Sequence, residues 1–294
     1  MNDKYVIGID IGKTKMAFGV FQRDLQIIKH IVKPSGKNAK EILDTVEDTI
    51  RCCFEQYHRS IIGIGIAAFG VIDAVKGTVV SSQIIKDWND IPLKQRFESI
   101  FQVPVFVEND VKAAAFGELY SKNNPEGLES LLYFSVGTSI GLAFIEKESL
   151  CYGAHKRFGE ISAFHPMGSK LALGDIIGGK GIAEQYRNRM GSVKSAAEVF
   201  SLAQSGDSVS REIFNSMIAS VVELLRWLTI CFDPNHLIIG GGMICKNEIL
   251  FNMIRDRYDS FFDGTHLQLT VARLRENSGV YGAASIAMKI LFSV

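Results

Sequence analysis

The sequence predicts an α/β protein built as two lobes of related topology. Three observations carry this. Apolar runs of strand length alternate with segments of helical periodicity. The succession of elements starts afresh after Asn-Asn-Pro-Glu-Gly at 123–127. Two segments also match in kind: Ile9-Asp-Ile-Gly-Lys-Thr…Ala17-Phe18 and Phe134-Ser-Val-Gly-Thr-Ser…Ala143-Phe144. Each is a strand that ends in a glycine turn with a hydroxyl residue and is followed by an Ala-Phe strand.

Taken in order, Tyr5–Asp10 and Lys15–Phe21 read as strands, and Leu25–Val32 as a third. From Ala39 to His58, the residues Ile42, Leu43, Val46, Ile50, Cys53, Phe54 and Tyr57 recur at helical spacing. Ile61–Ala68, almost all Ile, Gly and Ala, reads as a buried strand. A helix near Leu93–Phe101, a strand Val103–Val107 and a helix from Val111 to Tyr120 follow. Past the break come strands Ser130–Val136 and Leu142–Glu146, joined by Gly-Thr-Ser-Ile-Gly. A long apolar helix near Arg211–Phe232 stops at Asp233-Pro234. Strand Leu237–Ile239, three glycines, a helix, strand Leu267–Leu274 and a helix from Gly279 complete the chain. The expected division is a first lobe of 1–112, completed by 279–294, and a second of 113–278.

Composition bounds the function. The 294 residues carry 32 Lys+Arg and 32 Asp+Glu. That balance lacks the basic footprint of a nucleic-acid or anionic-membrane partner. With 47% hydrophobic and 22% charged residues, the chain is a folded globular protein. Its longest uncharged apolar stretch, Ile61–Ile72, falls short of the roughly 20 residues that span a membrane. Met-Asn-Asp-Lys runs straight into a strand, with no signal-peptide architecture. Five cysteines without a C-x-x-C point to a reducing cytoplasm rather than a disulfide framework.

Several residues can carry chemistry. Gly12-Lys13-Thr14 is not a Walker A loop: the required first glycine falls on Ile7, and a strand pattern follows where a helix should open. A glycine turn behind Asp10 can still hold phosphate through its N–H groups, Thr14 and Lys15, while Asp10 holds Mg²⁺ through water. Gly137-Thr138-Ser139-Ile140-Gly141 is a second such turn, and two facing turns can clasp a triphosphate. Glu108-Asn109-Asp110 ends a strand and opens a helix. Asn109 or Asp110 there either caps the helix or serves as a general base toward a hydroxyl. Gly240-Gly241-Gly242 is either a strand-to-helix turn or a surface that admits a flat ligand such as adenine. Glu160 can accept from hydroxyls or sit on the surface, and Trp88 is a core aromatic or an apolar floor.

In chain order these motifs, D-x-G-x-T-K, G-x-x-D, W-x-x-x-P-L, N-D, G-T-x-x-G, G-E and G-G-G, resemble those of ROK-family sugar kinases. The resemblance runs from Asp10 to Gly282-Ala-Ala284. It implies two RNase-H-like lobes of the actin/hexokinase ATPase type around a central cleft, and an ATP–Mg²⁺-dependent kinase. By motif match, Asp110 is the base, while Gly70, Asn109 and Glu160 hold sugar hydroxyls. Asp10, Ile11, Gly12, Thr14 and Lys15 meet phosphates and metal, with Gly137, Thr138, Ser139 and Gly141 from the second lobe. Gly241 and Gly242 lie against the nucleoside.

The chain departs from the pattern in four places. The family's Gly-His after Gly-Glu is replaced by Ser162-Ala163, and His165, two residues beyond the expected histidine, is a further sugar candidate. The cysteines of the family's C-x-C-G-x-x-G-C-x-E zinc motif become Asp175, Ile177 and Ile182, with Glu184 kept, so no zinc is expected. Lys13 replaces the usual glycine of the first turn, and Asp87-Trp88 replaces Asn-Trp. Lack of the zinc motif resembles the family's β-glucoside kinases, so a β-glucoside such as cellobiose is the expected substrate, phosphorylated on its 6-hydroxyl. N-acetylmannosamine, glucose or another hexose come next. A non-catalytic sugar-binding pseudokinase is the second reading. A sugar-responsive repressor needs a helix-turn-helix for which the strand starting at residue 5 leaves no room. The resemblance also implies a homodimer.

Overall fold

A computed structural model describes residues 4–57, 60–82, 84–120, 129–261 and 267–292. In chain order these form β1 (Tyr5–Ile11), β2 (Lys15–Phe21), β3 (Ile27–Pro34), α1 (Ala39–Tyr57), β4 (Ile61–Ala68), β5 (Val71–Asp73), β6 (Thr78–Ser81), α2 (Leu93–Phe101), β7 (Val105–Asn109) and α3 (Asp110–Leu119). There follow β8 (Ser130–Val136), β9 (Ile140–Glu146), β10 (Ser149–Leu150), α4 (Leu173–Ile177), α5 (Gly179–Met190), α6 (Ala196–Gln204) and α7 (Ser208–Phe232). The last are β11 (His236–Gly240), α8 (Gly242–Cys245), α9 (Glu248–Asp259), β12 (Leu269–Val271) and α10 (Ser278–Phe292). The chain divides into two units, Met1–Asn124 with Asn277–Val294, and Pro125–Glu276. A break at 112 would cut α3 in its first turn. α3 instead belongs whole to the first unit because it packs along α10, where a methyl on Gly282 would fall onto the Ala113 carbonyl.

The first unit's sheet has the order β3-β2-β1-β4-β7. The β1–β2 and β2–β3 pairs are antiparallel; β1–β4 and β4–β7 are parallel. The second unit repeats order and sense as β10-β9-β8-β11-β12. Alternation along each strand sorts its side chains between two faces. Ile7, Ile9 and Ile11 of β1 join Ile42, Val46 and Ile50 of α1 and Phe97 of α2 in one core. Val6, on the opposite face, packs with Val280, Ala284 and Met288 of α10. Gly8 and Gly65, paired across β1 and β4, let the α10 backbone lie against the sheet, since methyl groups there would meet the carbonyls of Val280 and Ala283.

In the second unit α7 is long and apolar enough to cross a membrane by length and composition, yet it is a core helix. Its Ile213, Phe214, Met217, Ile218, Val221, Val222 and Leu225 are buried in the second core with β8 and β11. It starts at Ser208, before the expected Arg211, because Asp207 accepts the Ser210 N–H and caps it. β3 starts later than expected: Leu25 sits at φ 61° in a turn closed by its N–H to the Gln22 carbonyl. β7 is displaced two residues toward its C-terminus, so Glu108 and Asn109 lie within the strand. β9 already starts at Ile140 and places Gly141 in a ladder position opposite Ser135. β12 is shorter than the expected Leu267–Leu274. His58, at the expected end of α1, lies outside the described residues.

Candidate active site

In the first unit the site residues gather where the three parallel strands end. Ile11, Ala68 and Asn109 share one row across β1, β4 and β7, and Asp10, Ala67 and Glu108 the row before it. The carboxyl edge of parallel strands is where α/β sheets present loops and helix N-termini to ligands. Ile11 is fully buried, so only its backbone reaches the turn. The turn itself is tight, with Gly12 N–H donating to the Lys15 carbonyl at 3.1 Å, and Lys13 and Thr14 are exposed. Lys15 opens β2 opposite Pro34.

Asn109 is the helix cap: its Oδ1 accepts from Val111 and Lys112 N–H at 3.0 and 3.2 Å. Its Nδ2 donates to the Gly70 carbonyl at 3.1 Å, tying the α3 N-terminus to the turn after β4. Gly70 adopts φ 108°, a conformation open to glycine. Beneath it Trp88 is fully buried, stacks on Phe69 with centroids 5.5 Å apart, and donates Nε1 to the Phe69 carbonyl at 3.2 Å. Trp88 is thus a core aromatic that sets the height of the Gly70 turn. Asp110 occupies the first position of α3, and its Oδ1 accepts the Val111 N–H at 2.9 Å. The helix dipole favours a carboxylate there.

Asp10 has a carboxyl pushed up to about 7, chiefly by burial, then by the neighbouring Asp110 charge, with Lys15 opposing. A methyl on Gly279, in the first turn of α10, would lie 2.5 Å from Asp10 Oδ2. Two adjacent carboxylates, one desolvated, suit a divalent cation whose charge would relieve their repulsion. Asp10 therefore fits the Mg²⁺ role through water.

In the second unit the turn after β8 is closed by Gly137 N–H to the Ser139 carbonyl at 2.9 Å. Thr138 and Ser139 are exposed, ready to donate to an anion. The β11 turn lies beside it. Gly241, at φ 86°, backs onto Val136, and a methyl on Gly137 would come 3.9 Å from the Gly242 N. A methyl on Gly242 meets nothing within 4 Å, so this backbone faces open space, as a flat ligand requires. The start of α5 grips the turn from behind, with Gly179 and Lys180 N–H donating to the Gly137 and Thr138 carbonyls at 2.9 and 3.0 Å. Glu160 and His165 are exposed on the loop that follows β10, and Gly159 at φ 91° holds that loop against the Leu142 carbonyl.

Zinc does not fit the family's positions. Ile177 and Ile182 are fully buried members of the second core, and the Asp175 backbone lies against Gly181. Hydrocarbon packing fills the space that thiolates would line. Among the described residues no group of three or more His, Cys, Asp or Glu is placed to hold a metal.

Four residues make contacts that the motifs do not foretell. Glu108, 4% exposed, accepts the Asn109 N–H at 2.8 Å. Asp87 accepts the Ala39 N–H at 3.1 Å and so caps α1, which commits the side chain that departs from Asn. Gly279 and Ser162 were legible only as a helix start and a lost glycine. The short polar run Glu-Asn-Asp could have flagged Glu108; the other three depend on contacts distant in sequence.

The sequence model described as the ROK family matches residues 6–290. A glucokinase of Streptomyces coelicolor is 28% identical over 312 residues, covering 96% of each chain. A β-glucoside kinase of Listeria monocytogenes is 25% identical, covering 82% of this chain and 83% of its own. A solved ROK family glucokinase from Streptomyces griseus, in complex with glucose and AMPPNP, superposes with a TM-score of 0.79 at 26% identity, covering 97% of this chain and 99% of that one.

Proposed function

We infer, from the premise that the chain belongs to the ROK family, that it is an ATP-dependent sugar kinase transferring the γ-phosphoryl group to a sugar 6-hydroxyl. The observation that carries this reading is the pair Asp10–Asp110 at the carboxyl edge of the first sheet, one carboxylate half-buried and desolvated, the other opening α3. In phosphoryl transfer a protein chiefly positions and neutralises. Asp110 accepts the proton of the attacking hydroxyl as its oxygen bonds to the γ-phosphorus and the bond to the ADP oxygen breaks. Asn109 and Gly70, already tied to each other, and Glu160 orient the sugar; His165 is exposed within the Glu160 loop. The N–H and hydroxyl groups of Gly12, Thr14, Gly137, Thr138 and Ser139, with Lys15, hold the phosphates, and Gly241 and Gly242 border the nucleoside. Mg²⁺, held by Asp10 through water, would neutralise charge on the phosphates.

For the sugar we propose a β-glucoside such as cellobiose. The loss of all three zinc cysteines supports it, as does similarity to a β-glucoside kinase. Glucose is the second reading, favoured by the glucokinase relatives, and N-acetylmannosamine the third. The reading includes a zinc-free homodimer in the cytoplasm, where the five free cysteines stay reduced. ADP release with ATP–Mg²⁺ against cellobiose, salicin, glucose, N-acetylmannosamine, fructose and allose tests it, with Asp110→Asn in parallel. Sugar-dependent turnover that falls by about 10²–10⁴ in Asp110→Asn is the expected result. AMPPNP binding without turnover on any of these sugars would favour the pseudokinase.

A further inference from the structure

The loop that carries Glu160 and the turn that carries Thr138 and Ser139 meet at two hydroxyls. Ser139 Oγ and Ser162 Oγ lie 2.9 Å apart. Ser162 is half-buried, and Gly174 of α4 closes over it so tightly that a methyl there would run into its Oγ. The same helical segment reaches the turn itself: a methyl on Gly178 would lie 3.0 Å from the Thr138 carbonyl and 3.2 Å from the Ser139 Cα. With the Gly179 and Lys180 N–H bonds, this holds the backbone of the turn, while the Ser139 hydroxyl can still rotate. Ser162 takes up that freedom, and a glycine at 162 has no hydroxyl to do so.

We propose that Ser162 is a positioning residue. Its hydroxyl donates to Ser139 Oγ, which leaves the Ser139 O–H for the nucleotide phosphates, and it ties the phosphate turn to the Glu160 loop, so the two act as one body. The proposal rests on the kinase reading of the turn. Ser162 touches no reacting atom; it acts through Ser139. Because Ser139 is exposed, water competes for the bond, and its net worth is that of one ordinary hydrogen bond.

The test is calorimetric binding of Mg²⁺–AMPPNP to the full chain, comparing wild type with Ser162→Ala, Ser162→Gly, Ser139→Ala and the double variant Ser139→Ala/Ser162→Ala. Ser162→Ala and Ser162→Gly are expected to weaken binding about five-fold. The double variant should bind no more weakly than Ser139→Ala alone, the signature of one shared interaction. A purely structural role would lower the melting temperature of both Ser162 variants while losses added to that of Ser139→Ala, and that result overturns the proposal. Wild-type affinity in both Ser162 variants overturns it as well. A wild type that binds no nucleotide fails differently: it removes the kinase reading and this proposal with it.

Discussion

The two sheets share strand order and sense, yet their carboxyl edges differ in charge. β1 carries Asp10 one residue before its end and β7 ends on Glu108 and Asn109, with Asp110 opening the next helix. At the matching place in the second unit β8 carries Ser135, and β11 runs into Gly240, Gly241 and Gly242. Both edges lead into a glycine turn with a hydroxyl residue, but only the first adds carboxylates. On the kinase reading, neutral donors suit a polyanion, whereas acids suit a proton and a cation. Acids at both edges would, on that reading, repel the phosphates.

Exchanging the distinguishing residue is the sharpest way to break this division. Asp10→Ser gives the first edge the residue of the second and is expected to lower kcat about 10–100-fold, as for outer-sphere metal partners. Ser135→Ala should leave kcat near wild type, and equal losses in both would erase the contrast. A smaller effect is expected from Gly279→Ala, whose methyl crowds Asp10 Oδ2. Steady-state kinetics should show kcat lower by about tenfold with AMPPNP affinity retained. A loss confined to affinity would move Gly279 out of the carboxylate edge.

A further effect is on stability. Asp10 is raised from 3.8 to about 7 in the folded state, so folding favours its protonated form. That contribution is complete below the unfolded value and is lost as pH rises through about 7. Asp10→Asn, which never ionises, should therefore melt above wild type at pH 8, by a difference worth at most about 4 kcal/mol. The gap should close toward pH 4. A gap that stays constant between those pH values would show that the carboxyl is not destabilised by its surroundings.

Much of this was legible in the residues. β2 and β4 fall where the sequence places them, because an Ala-Phe strand bounded by a glycine turn and an Ile-Gly-Ala run leave few alternatives. The repeat was visible in two short segments and extends to whole sheets. β7 was misplaced because Val103 and Val105 look equally strand-like; its bounds follow from the parallel register with β4, from Ile64–Val105 to Ala68–Asn109. The β5–β6 hairpin was missed since β5 spans three residues and gains its stability from pairing. α4 and α5 are hidden by Gly174, Gly178, Gly179 and Gly181, poor helix formers that are needed where backbone meets backbone. Within the site, Asp10, Asn109 and Asp110 were readable as a motif. Their surroundings were not: Gly279 reaches Asp10 from the far end of the sequence.

That last contact has a consequence for biosynthesis. α10 is translated after the whole second unit, yet it covers β1 and β4, among the first strands to leave the ribosome. Domains ordinarily fold in the order in which they emerge. Here the later unit, contiguous from Pro125 to Glu276, can mature first, while the earlier one waits with Val6, Ala17 and Phe21 uncovered. The nascent chain therefore passes through a stage with one finished half and one sticky half. Stalling before residue 278 should make it a client of chaperones that hold exposed apolar sheet.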